Sequence, residues 1–191
     1  MRVVIKDRRK WAIVAVAVLL GGAYLAYRHY VSSPYFIKER AVKALLSGDC
    51  ETLCRLTDEE ELKRLNLTPE IVCAVLKDVL GLSQLPPRVG DRLVEPPMPD
   101  QMTWNIYLQG DPIDQPHYPY LSILLIYTPK GWKLLLSKIL YVVCIWKLVR
   151  AGYKYEQTLG LSVDILRRHG IRGLRAEDGS FNLFGKEEKE W

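Results

Sequence analysis

The chain is short of the residues from which most catalytic machinery is built. Its 191 residues include three histidines, His29, His117 and His169, and the first of these sits at the end of an apolar run. A histidine-based triad is therefore thinly supplied. No GxSxG, HExxH or glycine-rich phosphate loop occurs. The four cysteines, Cys50, Cys54, Cys73 and Cys144, contain no CxxC pair. Cys50 and Cys54 fall at helical i, i+4 spacing without a nearby histidine, which argues against zinc. These absences give no positive sign of an enzyme, and no cofactor or metal is expected.

A surplus of basic charge is also missing from most of the chain. Of 27 basic and 22 acidic residues, the first 30 positions hold six and one, leaving 21 of each sign beyond them. The pI near 9 thus belongs to the N-terminal flank alone. No basic stripe with interleaved aromatics follows, so no nucleic-acid partner is expected.

What is present is a long uncharged run. Trp11 to Tyr27 is 17 consecutive residues without a charge. At ~1.5 Å per helical residue the run spans about 25 Å, and residues to Tyr30 complete a ~30 Å hydrocarbon core. Trp11, Tyr24, Tyr27 and Tyr30 suit the interfaces, and Arg28 can snorkel. Arg2, Lys6, Arg8, Arg9 and Lys10 precede the run against Asp7 alone. The positive-inside rule then places the N-terminus in the cytoplasm and the rest of the chain outside. A cleaved signal peptide is the competing reading, with Gly21 and Ala23 as small cleavage-site residues. The run exceeds a usual h-region and lacks a polar c-region, so a retained anchor is expected. Gly22 and Ala26 form a small-xxx-small pair, read as ordinary small residues of a span.

The expected organisation is a cytoplasmic basic flank over 1–10, a membrane anchor over 11–30, an α+β domain over 31–184 and a charged tail over 185–191. Ser33-Pro34 and Gly48 bracket a first helix of the domain. Asp49 caps a second, and Thr57 with Glu60 predicts a capping box opening a third. Thr68-Pro69 opens a fourth, whose Ile71, Val72, Val75, Leu76, Val79 and Leu80 recur at helical spacing before Gly81. Strands are predicted over 89–94, 102–108, 120–127 and 132–136, with Thr128-Pro129-Lys130-Gly131 as a hairpin turn. Ile139 to Trp146 is a continuous apolar run, read as a strand that turns helical near Trp146, with a helix capped by Ser137 and ending at Ala151-Gly152 as the alternative. A last helix runs from Tyr155 to His169, stopped by Gly170, and Asp178-Gly179 marks a turn before the tail.

The best polar candidates lie between Gln109 and Pro119, where Asp111, Asp114 and His117 offer carboxylate and imidazole groups. A solvated connection between strands is the plainer reading of that segment. Trp104, Tyr107, Asp111, His117 and Tyr127 form the candidate ligand-binding set, although the aromatics also suit ordinary sheet core. Outside the cytoplasm one disulfide is chemically allowed, with Cys54 to Cys73 the candidate pair. Buried free thiols are the preferred expectation.

Two segments carry a resemblance. Ala41-Val42-Lys43-Ala44-Leu45-Leu46-Ser47-Gly48-Asp49 is similar to the first-helix ending of many NTF2-like (cystatin-like, SnoaL-type) domains. Pro129-Lys130-Gly131-Trp132-Lys133-Leu134 is similar to their Gly-Trp-Lys-hydrophobic hairpin. The resemblance implies a curved antiparallel sheet wrapped around helices as a cone, here with an extra C-terminal helix. It does not fix a function, because that fold hosts enzymes and non-catalytic modules alike. The expected role is a membrane-anchored, extracytoplasmic, non-catalytic binding or assembly module with a protein partner at the envelope. The alternative is a small-molecule or enzymatic site inside the cone.

Overall fold

The computed structural model describes residues 4–81, 85–94, 100–113, 115 and 118–171, with side chains from Trp11 onward. Asp114, His117 and the segment after Ile171, including Asp178-Gly179, lie outside the described residues. The protein is α+β. A long helix α1 (Val4–Val31) is followed by α2 (Pro34–Ser47), α3 (Cys50–Leu56), α4 (Glu59–Leu65) and α5 (Pro69–Leu80). Four strands come next, β1 (Arg88–Val94), β2 (Gln101–Leu108), β3 (Leu121–Thr128) and β4 (Gly131–Leu134). The described chain ends with α6 (Leu136–Arg150) and α7 (Tyr155–Arg168).

Helix boundaries follow local chemistry. Ser33 accepts from the Phe36 N–H ahead of Pro34, and Gly48 closes α2 in the left-handed region at φ 69°. Asp49 caps α3 by accepting from Thr52 N–H, which lowers its carboxyl pKa. Thr68 accepts from Ile71 N–H, and Gly81 closes α5. The expected capping box at Thr57 is not formed. Asp58 is the cap of α4, and the Thr57 hydroxyl instead donates back to Leu53 O at 2.8 Å. Thr57 is needed there because its backbone bridges Leu134 at the open edge of β4.

The strands form one antiparallel meander in the order β1-β2-β3-β4. Trp104 pairs with Leu93 and Ile123, and Leu125 with Leu134. Paired residues share a face, so Trp104, Ile106, Ile123, Leu125 and Leu134 make one apolar surface. All five are buried, together with Leu53, Leu76 and Val143 from the helices. The space between sheet and helices is filled by side chains of the domain itself.

The segment after β4 corrects the sequence reading. Residues 138–146 are not a strand: α6 starts at Leu136, two residues past the hairpin strand. Ile139, Leu140, Tyr141, Val142, Val143, Cys144, Ile145 and Trp146 are all buried, because α6 is enclosed by β3, α5 and α7. A helix covered on every side carries no amphipathic period, so its sequence mimics a buried strand.

α1 is the opposite case. Trp11–Val31 is a 21-residue apolar stretch, none of it buried. Two residues, Ser32 and Ser33, join it to α2.

Candidate functional site

The most constrained polar group of the described residues is Asp111. β2 ends at Leu108, and Gly110 at φ 86° turns the chain so that the Asp111 side chain points back under the sheet, fully buried. Oδ2 accepts from the Leu108 N–H at 2.9 Å. Oδ1 accepts from Trp146 Nε1 at 3.2 Å and from the Arg150 guanidinium at 2.8 Å. Arg150 also lies over the Trp146 ring, 4.9 Å from its centroid. Asp111 therefore ties the β2–β3 connection to the last turns of α6, with three donors already on its two oxygens.

Trp104, Tyr107 and Tyr127, the other described members of the candidate set, lie apart from one another. Trp104 is buried on the helix-facing side of the sheet, with Tyr35 edge-on at 5.7 Å and Lys38 over its ring. Tyr107, three residues further along β2, projects to the other face and packs edge-on against Tyr120 at 4.9 Å. Tyr127 is exposed near the β3–β4 hairpin against Trp132. Tyr120 donates to Pro112 O at 2.6 Å, which pins the loop after Asp111. Tyr118 has its pKa raised, first by burial and then by the charge of Asp111.

Two buried charged groups escaped the sequence reading. Glu61 is buried, and its Oε1 accepts from the Ser137 N–H at 2.8 Å while Oε2 has no partner. Burial raises its pKa against the opposing hydrogen bonds at the start of α6. Lys38, also buried, joins Glu39 at 2.6 Å and Asp91 at 2.9 Å, and Arg88 contacts both carboxylates. Burial pushes the Glu39 pKa up, but hydrogen bonds and charge from Lys38 and Arg88 outweigh it, and the net shift is downward. These ion pairs fasten α2 to β1. The charged letters of Glu61 and Lys38 gave no warning, since each sits among charges that read as a solvated helix face.

The preferred expectation of free thiols fails for two of the four cysteines, and the bridge is not the candidate pair. Cys73 bonds Cys50, with 5.6 Å between their Cα atoms, and not Cys54. Cys54, one helical turn after Cys50, instead lines a groove with Pro69 at the start of α5. Cys54 and Cys144 are the buried free thiols, pushed up by burial to about 11 and about 12. Neither is a ready nucleophile.

Among the described residues, grooves open at the surface of the domain. A groove of about 500 Å³ runs between Glu51, Arg55, Leu62 and Lys133, and one of about 270 Å³ between Leu85, Trp146, Lys147 and Arg150. Among the described residues no group of three or more His, Cys, Asp or Glu converges as a metal site would need. No family model, curated protein or solved structure matches the chain.

Proposed function

We propose that this protein is a single-pass, membrane-anchored binding or assembly module of the cell envelope, without catalysis of its own, whose domain lies outside the cytoplasm. The observation that carries the reading is the wholly unburied 21-residue apolar helix, joined by two residues to a domain whose interior is filled. An apolar helix of that length has no place in water, and a hydrocarbon core accepts it. The basic flank before it favours an inside N-terminus. The Cys50–Cys73 bond favours an oxidising compartment for the domain. The three donors on Asp111 occupy both of its oxygens, which favours a structural role for this carboxylate and binding by surface.

An NTF2-like relationship is part of the proposal. Its supports are the helices-then-antiparallel-sheet order and the Gly131-Trp132-Lys133 start of β4. α6 packs its buried apolar side chains against β3, α5 and α7, which supports a filled domain over an open cone.

Labelling in intact cells tests the placement. A cysteine introduced at exposed Tyr153 should react with a membrane-impermeant maleimide without lysis. Reaction only after permeabilisation would overturn the outside domain. Ligand retained in native mass spectrometry of the full chain would overturn the non-catalytic, pocketless reading.

A further inference from the structure

The orientation of α2 on the sheet identifies which end of the domain faces the membrane. Tyr35 touches Trp104, which pairs with Leu93; Lys38 touches Asp91; Glu39 touches Arg88. The chain thus ascends α2 as it descends β1, and the start of α2 lies toward the Val94 end of that strand. The antiparallel order places at that same end the start of β2, the end of β3 and the β3–β4 hairpin. The opposite end carries the β2–β3 connection, Asp111 and the last turn of α6.

The span finishes at Val31, and Tyr35 is four residues further on. At no more than ~3.6 Å per residue, Tyr35 lies within about 14 Å of the end of the span. That upper limit is about twice the thickness of one headgroup layer, roughly 5–8 Å, so the start of α2 is held near the membrane surface. Three large side chains at this end are left in the open: Tyr35 is 55% exposed, Tyr127 58% and Leu93 38%. Trp132 stacks edge-on with Tyr127 beside the turn of Lys130, whose ammonium lies 3.6 Å from the exposed Glu59 carboxylate, and exposed Arg92 neighbours Leu93. Aromatic rings with cations are the composition that settles at a membrane interface.

We propose that this end of the domain docks on the lipid headgroups, so that the sheet stands on the bilayer and the Asp111 end points away from it. The docking surface comprises Tyr35, Leu93, Tyr127, Trp132 and the Lys130 turn. It rests on the anchor reading of α1. The span supplies the attachment, and the surface fixes the angle at which the opposite end is presented to a partner. Strands of eight residues at ~3.3 Å each separate the two ends by about 26 Å.

The test is site-directed spin labelling of the full chain in vesicles of phosphatidylcholine with phosphatidylglycerol. Single cysteines replace Tyr35, Tyr127, Ile113, Tyr153 or, within the span, Ala17. The buried Cys54 and Cys144 are left in place, and the chain without an added cysteine supplies the background. Labels at 35 and 127 should be shielded from a water-soluble relaxing agent and accessible to oxygen, while those at 113 and 153 remain aqueous. Shielding at 35 and 127 that persists in detergent would mean a protein contact and overturn lipid docking. Equal aqueous exposure at all four surface positions, with 17 in lipid, would overturn the docking and leave the anchor standing. An aqueous label at 17 would overturn the anchor itself.

Discussion

Glu61 Oε1 accepts the backbone N–H of Ser137 at 2.8 Å across 76 residues of sequence. A buried carboxyl from α4 thereby satisfies the first turn of α6, where neither Leu135 nor another local side chain does so. Lys138 is nearby, its pKa lowered first by burial, with the charge of Glu61 acting in the other direction.

The raised pKa of Glu61 makes stability depend on acid. Its folded value lies above the ordinary 4.5, so the folded state binds the proton more tightly than the unfolded state. That contribution is complete below the unfolded pKa and is lost as pH rises through the folded one. Urea unfolding of the full chain in detergent should therefore show falling stability over this window. Glu61→Gln keeps an acceptor for Ser137 and should flatten the slope, and parallel slopes would refute the assignment. Glu61→Ala should cost about 1–3 kcal/mol below the unfolded pKa, by orphaning the Ser137 N–H, and less as pH rises through the folded pKa.

Asp111→Ala should be among the most damaging polar substitutions. It strips acceptors from Leu108 N–H, Trp146 Nε1 and Arg150 at once. Since Arg150 is partly solvated, the expected loss is about 2–4 kcal/mol, below that of a wholly buried pair. Thermal unfolding monitored by near-ultraviolet circular dichroism reads both the loss and the loosened Trp146. A loss below half a kilocalorie, roughly a surface-level effect, would show that the network is not structural.

The Cys50–Cys73 bond closes a segment with a sequence separation of 23. Its removal by Cys73→Ser should lower stability by about 3 kcal/mol through the freed unfolded chain. Alkylation of the denatured, unreduced protein should modify Cys54 and Cys144 alone, and all four cysteines after reduction. Modification of Cys50 or Cys73 before reduction would disprove the pairing.

Gly48 ends α2 at φ 69° and donates its N–H to the helix carbonyls. A Cβ there is strained whatever the surrounding space, so Gly48→Ala should cost about 1–2 kcal/mol. Gly22→Ala, in the open helix of the span, should leave the midpoint of the same denaturation unchanged. Equal effects at the two positions would contradict the left-handed cap.

Much of the fold was legible because its signals are local. Ser33-Pro34, Asp49, Thr68-Pro69, Gly81 and the Thr128–Gly131 turn each act within four residues of themselves. Thr57 misled for the same reason: a capping box is a local pattern, and a bridge to Leu134 outcompeted it. Of the candidate ligand set, Trp104 and Tyr107 were assigned to the right strand, but the alternation of that strand sends them to opposite faces. His117 lies outside the described residues.

The sequence by itself determined the apolar span, its charged flank, the helix caps and the order of helices before strands. These depend on composition and on neighbours a few positions apart, which a linear chain displays directly. Only the tertiary structure decided that Ile139–Trp146 is a helix, that Cys73 bonds Cys50, and that Asp111 and Glu61 are buried partners of α6. Those outcomes turn on what lies beside a residue in space. Enclosure erases the periodicity of a helix, and one helical turn decides which thiol a cysteine can reach.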